Sequence, residues 1–409
     1  MNANRQCSIC DNRQVERIYK RTFERVSDGL VGGYDVVACR CCGFCFADNV
    51  PSQTELDIYY EKQSKYEHDH RNGQQSEFDM RRRPFTVGMI SAWLPDRSSK
   101  ILDVGCASGD LLTELKKQGY KEVRGVDPSP SCAKMAKELY DIDVVTAPIS
   151  RVSCDLGQFD LVILAAVLEH IRDLDATLIN VRGLLNPGGC VLVEVPDMTR
   201  CSLINDAAFQ EFSVEHINYF SPVSLQNLWS KHGFQTVGIQ QTEIEQVPGL
   251  TLYEIRAMFR YTDSQTTESL QPDVQTRAEL HRYVTKSQAK LSQVQQLVNT
   301  LVDGKRPVVV WGVGTYTQGL LATTRLGKAN IRAFVDSNAN YQGQRLNGVP
   351  ILTPTDLHAY PEPIVISSSA FQEEIASQIR DVLHLNNEII RLFDATAPAT
   401  ALDRSESGR

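Results

Sequence analysis

A glycine turn flanked by two aspartates is the feature of this sequence that most directly indicates chemistry. In residues 101–110, ILDVGCASGD, an apolar strand ends at Asp103 and turns through Gly105 and Gly109 into a helical run. Glycines at these positions let the backbone approach a ligand and let the helix pack closely. A second strand, VRGVD, ends in Asp127, where a carboxylate can bind two ribose hydroxyls. The GxGxxG spacing of a dinucleotide site is missing, so the turn predicts a cofactor made of adenosine and a short polar tail.

The cysteines near the N-terminus form a second group with chemical potential. Six of the eleven cysteines lie in the first 45 residues, as CSIC and CRCCGFC. Two thiolates on one tight turn occupy two corners of a tetrahedron, and a second turn supplies the other two. We therefore predict a structural zinc site; the residues assigned to it are Cys7, Cys10, Cys39 and Cys42.

Two alternatives to this zinc assignment stay open at the level of sequence. The second pair of ligands is Cys42 and Cys45 in one of them, although Gly43 suits a CxxCG turn that ends at Cys42. In the other, the cysteines are simply reduced and hold no metal. A catalytic zinc is disfavoured, because four thiolates leave no open coordination position.

The elements that must position the glycine turn follow it along the chain. Residues 159–171 give a buried strand that runs into a helix, and residues 184–196 give a helix end, a Gly-Gly turn and another strand. This alternation predicts a parallel α/β sheet whose ligands lie at the carboxyl ends of its strands, near Gly105, Asp127 and Leu164. The pair Glu169 and His170 is expected to be an ordinary helix start, with His170 hydrogen-bonded to the backbone.

DVGCASGD and GVDPSP together resemble the first two motifs of the class I S-adenosylmethionine-dependent methyltransferases. Residues 159–171 and 184–196 resemble later motifs of the same family. The resemblance implies S-adenosylmethionine as the cofactor and a Rossmann-like α/β domain around it. The residues expected to bind the cofactor are Asp103, Gly105, Ala107, Gly109, Asp127, Pro128 and Leu164.

The C-terminal third of the chain predicts a second Rossmann-like α/β unit. Residues 307–321 again give a strand, a glycine turn and a helix, and Asp336 ends the next strand. Gly312 and Gly314 lack the third glycine of a dinucleotide site, so a structural or substrate-binding use is favoured. The predicted organisation is a zinc-binding domain with a lid segment (1–75), a methyltransferase domain (76–245), a helical connector (246–303) and a C-terminal Rossmann-like substrate domain (304–409).

This combination of domains resembles the deoxysugar C-methyltransferases, which act on nucleotide-linked 4-keto sugars. The segment VEHINYFSP, residues 214–222, is similar to the EHxxYFS segment of that family, although Val214 replaces a histidine frequent there. Methylation of carbon requires removal of a proton alpha to a ketone, and we expect His216 to be the base. Glu215 is expected to orient His216, and Tyr219 to donate a hydrogen bond to the sugar or its oxyanion. Alternatively, the segment is a helix entry in which His216 only caps or packs.

Two other functions remain possible from the sequence. One is methylation of oxygen or nitrogen in a sugar or another small metabolite, and the other is a sugar-nucleotide oxidoreductase that uses the C-terminal glycine turn. A net charge of −8 argues against a nucleic-acid partner, and no apolar run is long enough to cross a membrane. We expect a cytoplasmic enzyme with a small-molecule substrate. Tyr59, Tyr60 and Tyr66 are expected to be lid residues, and His68 and His70 are expected to be solvated. The oligomeric state is open.

Overall fold

The computed structural model describes residues 1–26, 29–62, 77–262 and 269–393. Tyr66, His68 and His70 therefore lie outside the described residues. The strands are β1 (Val15–Thr22), β2 (Gly33–Cys39), β3 (Cys45–Asp48), β4 (Lys100–Val104), β5 (Glu122–Asp127), β6 (Val144–Thr146), β7 (Phe159–Ala165), β8 (Leu185–Pro196), β9 (Asn218–Tyr219), β10 (Phe234–Val247), β11 (Leu250–Tyr261), β12 (Val308–Trp311), β13 (Ile331–Val335), β14 (Arg345–Leu346), β15 (Val349–Leu352), β16 (Ile364–Ile366) and β17 (Ile389–Arg391). The helices are α1 (Gln53–Lys62), α2 (Glu77–Trp93), α3 (Asp110–Lys117), α4 (Pro130–Tyr140), α5 (Leu174–Gly183), α6 (Pro222–Lys231), α7 (Gln275–Asp303), α8 (Thr315–Thr323) and α9 (Gln372–Ser377).

The central sheet has seven strands in the order β10-β11-β8-β7-β4-β5-β6. The five strands from β4 to β8 run parallel, and β11 pairs antiparallel with β8. The chain moves outward from β4 through β5 to β6, and then returns to place β7 on the other side of β4. Such a reversal opens a crevice at the carboxyl ends of the strands, where open α/β sheets bind their ligands. The predicted parallel α/β fold of this region is confirmed.

The end of the central sheet shows that the predicted boundary at residue 245 is wrong. Strands β10 and β11 form one long hairpin, from the Phe234–Tyr261 pair to the Val247–Leu250 pair, and a boundary at 245 would cut it. Residues 250–261 therefore belong to the sheet rather than to a helical connector. Their apolar face is buried, including Ile255, Ala257 and Phe259, which gives the segment a reason to be a strand.

The N-terminal sheet combines strands from two distant parts of the chain. Its order is β1-β2-β3-β9, so three strands from the first 48 residues pair with a short strand at Asn218–Tyr219. Cys45 pairs with Tyr219 and Phe46 with Asn218. The segment that contains Glu215 and His216 is thus attached directly to the cysteine-rich sheet.

The C-terminal sheet has six strands in the order β14-β15-β13-β12-β16-β17. The strands from β15 to β17 run parallel, and β14 is antiparallel at the edge. The long helix α7 leads into this sheet and buries Leu280, Tyr283, Val298 and Leu301 in a hydrophobic cluster shared with the N-terminal sheet and the C-terminal strands. In the part of the chain that the structure describes, no helix is both long and apolar enough to cross a membrane.

Candidate active site

The glycine turn between β4 and α3 adopts a backbone path that requires its glycines. Gly105 and Gly109 have φ angles of 73° and 81°, and Ala107 between them has φ 48°. A side chain at Gly105 would stand 2.8 Å from the Val167 Cγ2 atom. Because left-handed backbone and close contact both favour glycine, the turn leaves backbone rather than side chains facing the crevice.

The aspartate at the end of β5 holds this turn in place. The Asp127 carboxylate accepts the Ala107 amide at 2.9 Å and the Ser129 amide at 2.9 Å. A carboxylate offers about four acceptor positions, so these two bonds are compatible with ribose hydroxyls as further donors. The backbone cradle and the acidic residue together fit an adenosine group.

A second acid, Asp103, is buried beneath the turn. Burial raises the pKa of Asp103 to about 7, and the positive charge of Arg83 on α2 opposes that increase. Because burial disfavours the charged form of a carboxyl group, a cation beside Asp103 would stabilise its ionised form. An ammonium group on a bound cofactor is such a partner.

Two of the residues expected to bind the cofactor occupy other environments. Pro128 is half-buried beside Asp127 at the start of the β5–α4 connection. The side chain of Leu164 is completely buried in the core with Val104 and Leu168. It cannot line the crevice, so only its backbone at the end of β7 is placed to do so; strand alternation sends this side chain to the inner face.

The predicted base lies on a loop that other polar side chains support. The Ser213 hydroxyl accepts the amides of Glu215 and His216 at 3.2 and 3.0 Å. Glu215 accepts a hydrogen bond from the Tyr59 hydroxyl at 3.0 Å. The ring of His216 packs edge-on against the ring of His170, with centroids 4.9 Å apart. The structure therefore brings the predicted Glu215 and His216 together with a second histidine.

His170 is a part of this site that sequence reasoning missed. Its Nδ1 atom lies 3.1 Å from the Glu215 carbonyl oxygen, in agreement with the expected backbone contact. The same atom also lies 3.0 Å from the Tyr60 hydroxyl. Burial raises the pKa values of Tyr59 and Tyr60 above the usual range, with a further increase from the charge of Glu215, so both phenols stay protonated. The repeated Glu-His pair, in LEHI and VEHI, was the available signal.

Tyr219 does not take the position predicted for it. Its side chain is 1% exposed and its hydroxyl lies 3.4 Å from the Tyr34 hydroxyl, within the hydrophobic cluster of the N-terminal sheet. The prediction that it binds the sugar is wrong for this arrangement. Because successive side chains of a strand alternate between faces, a residue next to the loop with His216 can point into the core.

Helix α2 is joined to the central sheet by a buried network of four charges. Arg82 pairs with Glu194 at 3.0 Å and with Glu254 at 3.2 Å, and Arg256 pairs with the same two acids at 3.0 and 2.9 Å. Each charge has partners, so the cost of burying it is offset and removal of any one would leave an uncompensated charge. The network fixes α2 to strands β8 and β11 of the central sheet.

The four cysteines assigned to zinc come together in the structure. Their sulfur atoms all lie within 4.8 Å of one another, with Cys7 and Cys42 at 3.5 Å and Cys10 and Cys39 at 3.4 Å. Zinc–sulfur bonds of about 2.3 Å in a tetrahedron separate the sulfurs by roughly 3.8 Å, so the cluster fits this metal. Cys45 lies outside it and donates to the Gly43 carbonyl oxygen.

The loop with Glu215 also faces the C-terminal sheet. A cleft is lined by Tyr59 and Val214 on one side and by Gln318, Tyr341 and Gln344 on the other. Behind it, Asp336 at the end of β13 accepts the Val313 amide at 2.9 Å and the Asn338 amide at 2.8 Å. The loop with Glu215 and His216 thus lies between the central glycine turn and the C-terminal sheet.

Comparison with known proteins agrees with the central fold and its glycine turn. Residues 79–239 match the family model described as a methyltransferase domain. The chain is 25% identical over 314 residues to the C-methyltransferase NovU of Streptomyces niveus, covering 70% of this chain and 73% of NovU. This chain is a class I S-adenosylmethionine-dependent methyltransferase.

Other similarities cover smaller parts of this methyltransferase. It is 24% identical over 204 residues to the mitochondrial ubiquinone biosynthesis O-methyltransferase of Rattus norvegicus, covering 46% of this chain and 56% of that protein. The match therefore spans little more than half the length of the rat enzyme. Residues 304–390 match the model described as C2185-like, N-terminal.

Solved methyltransferase structures also align with part of the chain. The 1,6-didemethyltoxoflavin-N1-methyltransferase of Burkholderia thailandensis is 21% identical, with a TM-score of 0.40, and covers 55% of this methyltransferase and 97% of its own chain. Magnesium protoporphyrin IX methyltransferase from Synechocystis PCC 6803 is 15% identical, with a TM-score of 0.40, and the alignment covers 51% of this chain and 99% of that one.

Proposed function

We propose that the methyltransferase methylates a carbon atom of a nucleotide-linked 4-keto deoxysugar. The observation that carries this proposal is the position of the loop with His216. It lies between the cofactor crevice of the central sheet and the strand ends of the C-terminal sheet. An acceptor with a sugar at one end and a nucleotide at the other would reach both of these regions.

The first chemical step is removal of a proton from the carbon beside the ketone. His216 takes this proton, and the electron pair of the C–H bond becomes the enolate. Imidazole suits the task because its ordinary pKa lies close to the pH of the cell. The Tyr60 hydroxyl and the ring of His170, next to His216, can stabilise charge at the substrate oxygen.

Transfer of the methyl group completes the reaction. When bound at the Gly105 turn, S-adenosylmethionine would supply the electrophilic methyl group, and its methyl–sulfur bond would break as the C–C bond to the substrate forms. The protein contributes alignment and exclusion of water. Val167, whose side chain borders the Gly105 turn, is followed directly by the Leu168–His170 turn, so the cofactor crevice and the histidines adjoin.

The nucleotide is proposed to lie against the C-terminal sheet. Asp336, the Gly312 turn and the cleft residues Tyr341 and Gln344 surround this position. Similarity to NovU supports carbon as the acceptor atom, because that protein is named a C-methyltransferase and its alignment covers 70% of this chain. Methylation of oxygen or nitrogen is the outcome that the following experiment must exclude.

The acceptor can be identified in two stages. Thermal denaturation with S-adenosylhomocysteine and dTDP, UDP, GDP or CDP should show a selective rise with one nucleotide, because ligand at about 100 times its Kd adds roughly 2.7 kcal/mol. The matching 4-keto sugar in deuterated water should then exchange its alpha proton. His216→Ala should abolish the exchange, whereas His281→Ala, on the exposed face of α7, should leave it unchanged. No stabilisation by any nucleotide would contradict the proposal, and full exchange in the His216 variant would remove His216 from the mechanism.

We also propose that Cys7, Cys10, Cys39 and Cys42 hold one structural zinc ion. Elemental analysis should find about one zinc per chain, lost in Cys10→Ser but retained in Cys41→Ser, since Cys41 is exposed and outside the cluster. A strong chelator should lower the Tm before it affects methyl transfer in molecules that remain folded. Loss of turnover with an unchanged Tm would contradict a structural role.

A further inference from the structure

The side chain of Arg5, near the start of the chain, is buried between the two segments that carry the paired histidines. These histidine segments are residues 168–172 and 214–218. The Nη1 atom of Arg5 donates to the Ile217 carbonyl oxygen at 3.2 Å, and the Nη2 atom donates to the Arg172 carbonyl oxygen at 2.9 Å. One guanidinium therefore binds the backbone of both histidine segments at once.

The side chain of Asn218 makes a second connection between the histidine segments. Its Nδ2 atom donates to the carbonyl oxygens of Leu168 and Ile171, each at 2.7 Å. Its Oδ1 atom accepts a hydrogen bond from the Nη2 atom of Arg5 at 2.7 Å. Because a guanidinium only donates, Arg5 requires the amide oxygen to face it, and this leaves the amide nitrogen to bind the two carbonyl oxygens.

These connections determine where the rings of His170 and His216 lie. His216 is two residues before Asn218, and His170 belongs to the turn whose carbonyl oxygens Asn218 binds. The Ile217 amide adds a hydrogen bond of 2.7 Å to the Glu169 carbonyl oxygen. The two rings pack edge-on with their centroids 4.9 Å apart. Their separation is thus set by bonds between the backbones that carry them.

Arg5 is suited to hold a fixed geometry rather than to supply stability. Burial lowers its pKa to about 10, with a further decrease from the charge of Arg172, so it stays charged at neutral pH. A hydrophobic side chain in this position would avoid the cost of burying a charge. The guanidinium instead provides a planar set of donors for several acceptors. The Arg5 backbone is also fixed, because its amide donates to the Asp48 Oδ1 atom at 2.8 Å.

We propose that Arg5 and Asn218 are positioning residues that hold the imidazole of His216 beside that of His170 for removal of the substrate proton. Both act through the backbone, since their side chains are only 5% and 2% exposed. This inference rests on the proposed role of His216 as the base. A base must lie within hydrogen-bond reach of the proton that it removes, and a displacement of about 1 Å can slow a reaction roughly 100-fold.

NMR spectra of the histidine rings test the positioning without any acceptor. The signals of His170 and His216 can be assigned by their loss in His170→Gln and His216→Ala. Since each ring lies against the other, Asn218→Ala and Arg5→Met should shift both signals. The signal of His281, on the exposed face of α7, should keep its position and serves as the reference.

The rate of deuterium exchange tests the consequence for the base. Asn218→Ala should exchange the alpha proton of the 4-keto sugar about 10- to 100-fold more slowly than wild type. The Kd values for S-adenosylhomocysteine and for the nucleotide should stay within about twofold, because neither ligand contacts Asn218 in the proposed arrangement. A wild-type protein without exchange would contradict the proposed function. Unshifted histidine signals would contradict the role of Arg5 and Asn218, so the two failures are distinguishable.

Two further variants keep the test decisive. Arg13→Met is the matched control, since Arg13 is exposed on the same N-terminal segment and donates to the Asn4 carbonyl oxygen; the histidine signals and the exchange rate should be those of wild type. Arg5→Lys retains the charge without the planar fork and should give an intermediate effect, also if Arg5→Met folds poorly. Wild-type histidine signals in both Asn218→Ala and Arg5→Lys, or a loss of exchange explained by weaker ligand binding, would overturn the proposal.

Discussion

The chain contains two glycine turns that are held by the same pattern of hydrogen bonds and have different surroundings. In each, an aspartate at the end of the next strand accepts one amide from the turn and one amide two residues after itself: Asp127 in the central sheet and Asp336 in the C-terminal sheet. The strand before the central turn contains the buried Asp103, whereas the corresponding strand before Gly312 is the wholly apolar Val308–Trp311.

The space beside the turns differs as well. In the C-terminal unit the Thr317 hydroxyl donates to the Gly312 carbonyl oxygen at 2.7 Å and contacts the Ser367 hydroxyl at 2.8 Å, so neutral groups fill the turn. The central turn instead has Arg83 and Asp103 nearby, one group of each charge. The difference teaches that charges of both signs beside the central turn suit a zwitterionic cofactor, whereas the hydroxyl groups at the C-terminal turn do not.

Replacement of each of the two aspartates by alanine is the strongest test of this comparison. Asp127→Ala should weaken S-adenosylhomocysteine about 100-fold or more, because a charged acceptor of ribose hydroxyls and the support of the turn are lost together. Asp336→Ala should leave that Kd unchanged and should weaken the binding of the nucleotide that thermal denaturation identifies. Calorimetry with both ligands on both variants gives the result directly.

The fold of the aspartate variants must be controlled. Asp127→Asn retains one acceptor oxygen and should lie between wild type and Asp127→Ala. If Asp336→Ala weakened S-adenosylhomocysteine as strongly as Asp127→Ala does, the two turns would share one ligand and the comparison would fail.

The pH dependence of S-adenosylhomocysteine binding tests the difference in charge between the two turns. Asp103, with its pKa of about 7, is ionised at pH 8 and mostly protonated at pH 6, so it loses its attraction for an ammonium group as the pH falls. The groups that act on it are Arg82 and Arg83 of α2, Glu194 of β8 and Asp127 of β5. The Kd for S-adenosylhomocysteine should rise about tenfold from pH 8 to pH 6, measured by calorimetry.

Two comparisons assign this pH effect to Asp103. Asp103→Asn should give a weaker and flatter profile over the same range. 5′-Methylthioadenosine, without the ammonium group, should show little dependence in the wild-type protein. A steep profile that survives in Asp103→Asn would assign the titration to another group.

The smallest expected effect concerns the glycine of the second turn. Gly312 has φ 106°, and a side chain there would stand 3.2 Å from the Ser367 carbonyl oxygen. Gly312→Ala should therefore lower the free energy of unfolding by about 1–2 kcal/mol, measured by denaturant titration. Its Kd for S-adenosylhomocysteine should remain that of wild type, while Gly105→Ala, at the central turn, should raise it. If Gly312→Ala also raised the Kd for S-adenosylhomocysteine, the two turns would be coupled.

Local patterns in the sequence were sufficient to predict some of these features. Both glycine turns, the aspartates after them and the four cysteines were found because each rests on a short spacing rule. The hairpin through residues 250–261 was missed, since one strand of a sheet is defined by its partner across the chain. Tyr219 and Leu164 were placed wrongly for a related reason. A sequence motif identifies a residue, but the face of the sheet on which its side chain lies depends on the folded strand.

The remaining parts of the site needed the folded chain. Arg82 and Arg83 are adjacent in sequence, yet Arg82 joins a buried network with Glu194 and Glu254, whereas the Nε atom of Arg83 is buried without an acceptor. His170 meets His216 across 46 positions of sequence, and Tyr59 and Tyr60 arrive from α1. Apart from the repeated Glu-His pair, these long-range contacts have no local signature in the sequence.

The pairing of β3 with β9 limits how this protein can be divided. Cys45 and Phe46 pair with Tyr219 and Asn218, and the Cys42 carbonyl oxygen accepts the Asp273 amide at 2.8 Å. The cysteine-rich segment is therefore interleaved with later parts of the chain and is not a detachable module. Expression of residues 76–245 alone would remove three of the four strands of that sheet and leave the segment around His216 without its pairing partner. Transfer of the cysteine-rich segment to another methyltransferase would require that β9 be transferred with it.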